Sequence, residues 1–241
     1  MYRQCRRAIK GATKGELYDE QTFAVMRRYL DPDSSCIDVG AHSGEILREI
    51  VRLAPRGRHF AFEPIPALAE GLRGRFPAVE IHACALSDSE GETTFNYVSN
   101  APAYSGLRRR AYDRPDADIQ EIQVPVRRLD DVVPRTAQVR FVKIDVEGAE
   151  YWVMKGGSEL IRRCHPIVVF EAGVKSTSFY DVTPAMIFDL LVSHSGLKLS
   201  TMARLLAGKP DLSEREFAQS YHNGEDFYFV AYPQGLTGRA T

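Results

Sequence analysis

Short apolar segments alternate with amphipathic segments along most of the 241-residue chain. The apolar runs predict buried strands at 36–39, 59–63, 79–86, 139–146, 167–171, 197–202 and 227–232. Apolar side chains at helical spacing predict helices at about 19–30, 44–54, 66–75, 149–163 and 184–194. Strands that alternate with helices form a mostly parallel sheet with helices on both faces. The pattern therefore predicts an α/β fold built on a mostly parallel seven-stranded sheet.

The alternation is interrupted after Leu86. Residues 93–98 and 122–126 have the pattern of two further strands, and the stretch of about 99–118 between them is long and polar. Because such a long loop in a compact domain is usually functional or mobile, we predict that the segment of about 95–126 is an insertion that forms a lid. We interpret residues 1–241 as one domain that begins with a basic N-terminal arm of about 1–15.

The composition is that of an ordinary globular protein, with 44% hydrophobic and 26% charged residues. A formal net charge of −1 argues against nucleic acid or an anionic membrane as the partner. Cysteines at positions 5, 36, 84 and 164 show no zinc-binding spacing, and free thiols in apolar runs favour a reducing compartment. The N-terminus lacks the apolar stretch of a signal peptide, and no run of about 18 apolar residues is present. We therefore expect a cytoplasmic protein.

The first predicted strand leads into a glycine-containing loop, DVGAHSG at residues 38–44. Glycine lets a chain turn tightly and approach a ligand, and the N-terminus of the following helix favours an electron-rich group. The loop departs from the G-x-G-x-x-G fingerprint of dinucleotide binding, and the G-x-x-x-x-G-K-[ST] sequence of a P-loop is absent. Its D-x-G-x-x-x-G pattern resembles the loop with which methyltransferases wrap the methionine end of S-adenosylmethionine. A tight turn that binds no ligand is the alternative.

An acidic residue, Glu63, ends the second predicted strand. In open α/β sheets, ligands bind beyond the carboxyl ends of the strands, where such an acid accepts the hydroxyls of an adenosine ribose. The alternative is an acid that stabilises the start of the helix after Pro64. Together with the glycine loop, Glu63 favours a nucleoside-containing cofactor at this edge of the sheet.

Five segments resemble the FkbM family of methyltransferases: IDVGAHSG (37–44), FEP (62–64), ALSD (85–88), KIDVEGAE (143–150) and VFE (169–171). The resemblance covers residues of about 16–172, and KIDVEGAE is its most specific part. It implies a Rossmann-like methyltransferase fold, S-adenosylmethionine as the cofactor, and O-methylation, often of sugars in glycolipids, polysaccharides or natural products. His42 departs from the asparagine that is usual in the family, although it can still hydrogen-bond the cofactor.

The residues that we expect to bind the cofactor come from the loop, the strand-end acid and the matched segments. They are Asp38, Gly40, Ala41, His42, Gly44, Glu63, Pro64, Ala85, Leu86 and Asp145. Asp145 is included because the carboxyl end of its strand should lie beside the cofactor.

Charged residues interrupt the strand at 139–146, which should be apolar, and such breaks of a local rule often mark function. Asp145 and Glu171 are the predicted catalytic residues: a substrate hydroxyl is held near Asp145, and one of the two carboxylates takes its proton. Lys143 is interpreted as a structural partner of a carboxylate, whereas Glu147 and Glu150 fit helix-start acids and catalytic acids equally well. The cluster could also hold Mg²⁺ or Ca²⁺, but the resemblance implies no metal, so none is predicted.

The polar stretch of the predicted lid contains groups that suit an acceptor. Tyr104 could stack on a sugar ring, and Arg108, Arg109 and Arg110 could grip a phosphate or a carboxylate. A solvated basic loop is an equal alternative.

We predict an enzyme that methylates a hydroxyl of a sugar or of a glycosylated or natural-product small molecule, with no nucleic acid as its partner. An RNA ribose methyltransferase that uses the lysine and acids of residues 143–147 is one alternative, opposed by the near-neutral charge. A cofactor-binding scaffold without activity is another, opposed by the acids retained at the strand ends. A nicotinamide oxidoreductase is disfavoured by the glycine loop.

Overall fold

The computed structural model describes residues 13–102, 105–108, 116 and 118–238, and a seven-stranded sheet lies at its centre. The strands are β1 (Ser35–Val39), β2 (His59–Phe62), β3 (Glu80–His82), β7 (Val139–Ile144), β8 (Ile167–Glu171), β9 (Leu197–Thr201) and β10 (Tyr228–Pro233). Their order is β3-β2-β1-β7-β8-β10-β9, and all neighbours are parallel except the pairs that β10 forms with β8 and β9. The predicted mostly parallel sheet of seven strands is confirmed.

Helices cover both faces of this sheet, as predicted. They are α1 (Lys14–Tyr29), α2 (Glu45–Leu53), α3 (Pro66–Arg75), α4 (Leu129–Val132), α5 (Glu150–Gly156), α6 (Ser158–Cys164), α7 (Val174–Thr177), α8 (Pro184–Phe188), α9 (Met202–Leu206) and α10 (Glu214–Asn223). A wider helical turn, Asp189–His194, continues α8. Alternate residues of β7 face opposite layers: Phe141 lies in an apolar cluster with Met26 of α1, and Val142 lies in another with Val153 of α5.

A second sheet of three strands stands beside the first. It consists of β4 (Ala85–Leu86), β5 (Gly91–Val98) and β6 (Ile119–Arg127), in the order β4-β6-β5. The two extra strands predicted at 93–98 and 122–126 are thus confirmed. The single strand predicted at 79–86 is wrong, because the chain leaves the main sheet after β3 and pairs β4 with β6 instead. The partly exposed edge position of β3 contrasts with the burial of β4.

The single helix predicted at 149–163 is also wrong, because the chain forms α5 and α6 with a break at Gly157. A Cβ added to Gly156 would lie 2.0 Å from the carbonyl oxygen of Ser87, and one added to Gly157 would lie 2.7 Å from a methyl carbon of Leu129. Both glycines therefore allow a close approach that a larger residue would prevent.

Other differences concern helix boundaries and helices that were not predicted. The first helix begins at Lys14 rather than at about 19, after a capping box between Thr13 and Glu16. The helices α9 and α10 were not predicted, although Ser213 and Glu216 form the same capping box before α10. Residues 1–12 of the predicted arm, and Tyr104, Arg109 and Arg110 of the predicted lid, lie outside the described residues. Within the described residues, no helix is long and apolar enough to cross a membrane.

Candidate functional site

A cleft with a volume of about 260 Å³ lies at the carboxyl ends of β1, β2 and β7. Nine of the ten residues predicted to bind the cofactor line it: Asp38, Gly40, Ala41, His42, Glu63, Pro64, Ala85, Leu86 and Asp145. The tenth, Gly44, does not line the cleft. It precedes α2 with a φ of 74°, and a Cβ added there would lie 2.7 Å from a methyl carbon of Leu72. Its role in the structure is to let α2 pack closely against α3.

The glycine loop is tied to the two strands beside β1. The backbone N–H groups of Gly40 and Ala41 donate to the carbonyl oxygen of Phe62 at 3.0 and 3.2 Å. Gly40 has a φ of 78°, and a Cβ at this position would lie 1.9 Å from the carbonyl oxygen of Asp145. Only glycine combines this conformation with this contact, so Gly40 brings the loop and the end of β7 together.

Glu63 joins the glycine loop to the start of α3. Its side chain is 3% exposed; Oε2 accepts from the backbone N–H of His42 at 2.8 Å, and Oε1 accepts from that of Ile65 at 2.9 Å. Burial raises the pKa of Glu63 and outweighs the two hydrogen bonds, which act in the opposite direction. Each carboxylate oxygen has a second lone pair, so both can still accept a hydroxyl from a ligand.

Two polar side chains of the cleft have buried atoms without a hydrogen-bond partner among the described residues. These atoms are both carboxylate oxygens of Asp38 and Nε2 of His42. Asp38 is 1% exposed. Burial raises the pKa of Asp38 to about 6 and lowers the pKa of His42. Buried polar groups are nearly always hydrogen-bonded in folded proteins, so these atoms indicate a polar ligand in the cleft.

Asp145 follows β7 and carries two strong hydrogen bonds on one oxygen. Lys143 Nζ donates to its Oδ2 at 2.7 Å, and the hydroxyl of Tyr228 donates to the same atom at 2.6 Å. Lys143 is only 7% exposed. Burial by itself would lower the pKa of Lys143, but the carboxylates of Asp145 and Asp38 outweigh it, and the pKa is raised. Lys143 is therefore the charged partner of Asp145, as the sequence indicates.

Two further carboxylates surround Asp145. One ligand atom each of Asp145, Glu150 and Glu171 lies within 4.8 Å of the others, a spacing that a metal ion could use. Glu150 is 1% exposed, and its Oε1 accepts from the backbone N–H groups of Val146 and Gly148 at 2.9 and 3.2 Å. Burial raises the pKa of Glu150 to about 7, and burial together with the charge of Glu150 raises that of Glu171 to about 9.

These acids do not all face the cleft. Glu171 belongs to the cluster around Asp145 but is not among the residues that line the cleft. Glu147 lines the cleft and has a φ of 63°, so it lies in the loop before α5 and is not part of the helix. Glu150 is the first residue of α5, where negative charge is favourable, and it binds the loop's own N–H groups. Tyr228 was not predicted as a site residue; its hydroxyl at the start of the last predicted strand was the available signal.

The stretch from residue 38 to residue 194 matches the model of the methyltransferase FkbM domain. The chain belongs to the FkbM methyltransferase family.

Relatives of this FkbM chain include two curated proteins and one solved structure. Methyltransferase 1 of Beauveria bassiana is 29% identical over 145 residues, 52% of this chain and 58% of that protein. The 2-O-methyltransferase NoeI of Sinorhizobium fredii is 27% identical over 181 residues, 67% of this chain and 71% of NoeI. The crystal structure of methyltransferase FkbM from Methylobacillus flagellatus has the same fold, with a TM-score of 0.51 at 15% identity over 84% of this chain and 44% of that one. The chain thus spans little more than half of Methyltransferase 1.

The FkbM family implies S-adenosylmethionine, and the cleft fits this cofactor. The unpartnered oxygens of Asp38 can accept from an ammonium group, and Glu63 stands where an acid can hold ribose hydroxyls. Acidic residues dominate the charge of the cleft, because Lys143 is the one lysine or arginine among the described lining residues. The acids that line the cleft are Asp19, Asp38, Glu45, Glu63, Asp145 and Glu147. This charge suits a sulfonium and an ammonium group and opposes the pyrophosphate of a dinucleotide.

Proposed function

We propose that the chain transfers a methyl group from S-adenosylmethionine to a hydroxyl group of a sugar or of a glycosylated or natural-product small molecule. The observation that carries this proposal is that one cleft holds a buried strand-end acid, Glu63, together with a partly buried acid, Asp145. The first suits the ribose of the cofactor, and the second suits the reacting end of the acceptor. The similarity to a 2-O-methyltransferase supports oxygen as the accepting atom.

The residues of the cleft divide between two tasks in this proposal. Asp38, the loop of residues 40–42 and Glu63 hold the methionine and ribose ends of the cofactor, while Pro64, Ala85 and Leu86 provide apolar contacts for its base. When bound, S-adenosylmethionine supplies a methyl group that is activated by an adjacent positive sulfur. The protein contributes position and a partly dehydrated cleft, which brings the acceptor oxygen in line with that methyl group.

The proton of the acceptor hydroxyl is assigned to Asp145. S-adenosylmethionine held by Asp38 and Glu63 would supply the methyl group to the hydroxyl oxygen, and the carboxylate of Asp145 would accept the proton that the hydroxyl releases. The hydroxyl becomes far more acidic during the attack, so a weak base in contact with it is sufficient. Burial and the charge of Glu150 raise the pKa of Glu171, which disfavours its ionised form, and Glu171 does not line the cleft, so the proton is not assigned to it.

The insertion of about 95–126 is proposed as the wall of the acceptor site. The same cleft is lined by Phe95, from the edge strand β5 of the second sheet, and by Pro102, Ser105 and Leu107 from the described part of the insertion. Ser105 Oγ accepts from the backbone N–H of Val98 at 2.9 Å, and the backbone of Gly106 pairs with that of Asn96. These contacts hold this part of the insertion over the cleft, where it can contact an acceptor.

Transfer of a labelled methyl group tests the proposal. The protein is incubated with S-adenosylmethionine that carries tritium in its methyl group and with a panel of methyl glycosides that differ in their free hydroxyls. We expect label in an ether-linked product for at least one glycoside and transfer that is roughly 10²–10⁴-fold slower with the Asp145→Asn variant. A matched control, Asp88→Asn, removes a partly exposed carboxylate that pairs with Lys155 outside the cleft. Transfer to nitrogen acceptors alone would contradict the proposed O-methylation.

A further inference from the structure

The proposed mechanism assigns no task to Tyr228, although this residue contacts Asp145 directly. Its hydroxyl and Lys143 Nζ donate to the same carboxylate oxygen, at 2.6 and 2.7 Å. Charge-assisted hydrogen bonds of this length favour the ionised form of a carboxylate and fix its orientation. We propose that Tyr228 is a positioning residue, which holds Asp145 ionised and oriented toward the acceptor. This inference rests on the proposed function, because it concerns the carboxylate that receives the proton.

The reversed direction of β10 explains why this strand supplies the hydroxyl. The parallel strands β1, β2, β7 and β8 all end at the edge of the sheet where the cleft lies. β10 runs antiparallel to β8, and its first residue, Tyr228, pairs with the last residue of β8, Glu171. A side chain at the start of β10 therefore reaches the edge at which the other strands end. No other position of β10 pairs with the end of β8.

The ring of Tyr228 is held in place by α1. Tyr18 stacks on it with the ring centroids 5.0 Å apart and an angle of 29° between the planes. The hydroxyl of Tyr18 donates to Asp226 Oδ1 at 3.2 Å and accepts from the backbone N–H of Phe227 at 3.3 Å. These bonds attach α1 to the two residues that precede Tyr228. The phenol is thus fixed before any ligand binds, as positioning requires.

The hydroxyl of Tyr228 remains a donor over the working pH range. Burial, followed by the charges of Asp145 and Glu171, raises the pKa of Tyr228 well above its usual value. The titratable groups that face Asp145 come from several elements and the glycine loop: Asp19, Asp38, His42, Lys143, Glu150 and Glu171. The ionised acids among them disfavour the charge of Asp145, so removal of the hydroxyl of Tyr228, which donates to Oδ2, should make this carboxyl harder to ionise.

Tyr228→Phe tests the positioning role, because it removes the hydroxyl and keeps the ring. Tyr232→Phe is the matched control: Tyr232 is a buried tyrosine of the same strand and does not line the cleft. With the best methyl glycoside as acceptor, we expect kcat to fall roughly tenfold or more in Tyr228→Phe, as for the loss of a charge-assisted hydrogen bond. The acid limb of its pH profile should move to higher pH, and KM for S-adenosylmethionine should change less. The control should keep all three values.

A double-mutant cycle separates positioning from a general packing effect. If Tyr228 acts through Asp145, adding Tyr228→Phe to Asp145→Asn should cause no further loss of rate. An unchanged kcat and pH profile in Tyr228→Phe, or an equal loss on top of Asp145→Asn, would overturn the role. A lower melting temperature with normal kinetics would also overturn it.

A readout that needs no acceptor keeps this inference distinct from the proposed function. In the complex with S-adenosylhomocysteine, with ¹³C-labelled aspartate, the Asp145 carboxyl signal should titrate at higher pH in Tyr228→Phe than in the wild type. Should Tyr228→Phe fail to fold, tyrosine labelled at Cζ in the wild type gives the answer: the Tyr228 signal should shift as Asp145 titrates and stay constant in Asp145→Asn. Absence of these shifts contradicts the role of Tyr228, whereas absence of methyl transfer by the wild type contradicts the proposed function alone.

Discussion

Replacement of Glu63 separates its possible contribution to cofactor binding from its contribution to the fold. The carboxylate is buried and accepts the backbone N–H groups of His42 and Ile65, so it connects the glycine loop to the entrance of α3. Glu63→Ala removes both acceptors, whereas Glu63→Gln keeps one acceptor oxygen and places an amide group against the other N–H. The two variants should therefore lose stability in that order, with alanine the more damaging.

The expected magnitude follows from the two hydrogen bonds and the burial of the charge. A hydrogen bond to a charged group contributes about 1.5–3 kcal/mol, and the loss of two would approach about 3–6 kcal/mol. The raised pKa of Glu63 shows that burial already disfavours the charged carboxylate, and its removal offsets part of this loss. We expect the free energy of unfolding to fall by about 2–4 kcal/mol in Glu63→Ala. Loss of the ribose contacts should weaken cofactor binding roughly ten- to hundred-fold.

Urea unfolding without ligand and calorimetry with S-adenosylhomocysteine measure the two quantities on the same protein. The control is Glu80→Ala on the adjacent strand β3, which removes an exposed carboxylate paired with Arg58 at 2.6 Å. Such an exposed surface pair contributes little to stability, and the control should bind the ligand normally. A folded Glu63→Ala variant with wild-type affinity would refute the ribose role and leave Glu63 as a link between loop and helix.

Three further predictions concern the acids and the insertion. Asp145→Asn should slow methyl transfer by roughly 10²–10⁴-fold at saturating cofactor, and a normal saturated rate would remove Asp145 as the base. Burial raises the folded-state pKa of Glu171 from an ordinary 4.5 to about 9. Its contribution to the free energy of unfolding is therefore fully present below about pH 4.5 and is lost as the pH rises toward 9. The fall in melting temperature over this pH range should be smaller in Glu171→Gln than in the wild type. A fall of the same size in both proteins would show that Glu171 does not titrate there. Amide hydrogens of β5, β6 and residues 105–108 should exchange more slowly when S-adenosylhomocysteine and an acceptor glycoside are bound, whereas equal protection with and without them would contradict a lid.

The fold and the cleft follow closely from local sequence patterns, because each rests on short-range rules. Apolar runs that alternate with amphipathic segments identify the seven strands, and a glycine loop with a strand-end acid locates the cleft. Predictions failed where tertiary contacts decide. The break at Gly157 depends on the close approach of Leu129, and the division of residues 79–86 depends on the pairing of β4 with β6. Neither partner is close in sequence.

The site shows the same limit. Asp145 and its pairing with Lys143 could be predicted, because both residues interrupt an apolar strand. The role of Tyr228 could not be predicted, because Tyr228 lies 83 residues from Asp145 in the sequence. The two residues meet only because β10 pairs antiparallel with β8. The motif alone predicts that Gly44 binds the cofactor, whereas its nearest side chains are Leu72 of α3 and Phe76, which follows α3. Spacing indicates where a loop lies, but packing decides which of its residues face the ligand.

Isothermal titration calorimetry of the wild-type protein tests the central claim most directly. Separate titrations with S-adenosylmethionine, S-adenosylhomocysteine and NAD compare the cofactor implied by the FkbM family with the rival dinucleotide. The account predicts one-to-one binding of the first two ligands, lost or strongly weakened in Glu63→Ala, and no measurable binding of NAD, whose pyrophosphate meets the acidic cleft. Tight binding of NAD with no response to S-adenosylhomocysteine would contradict it.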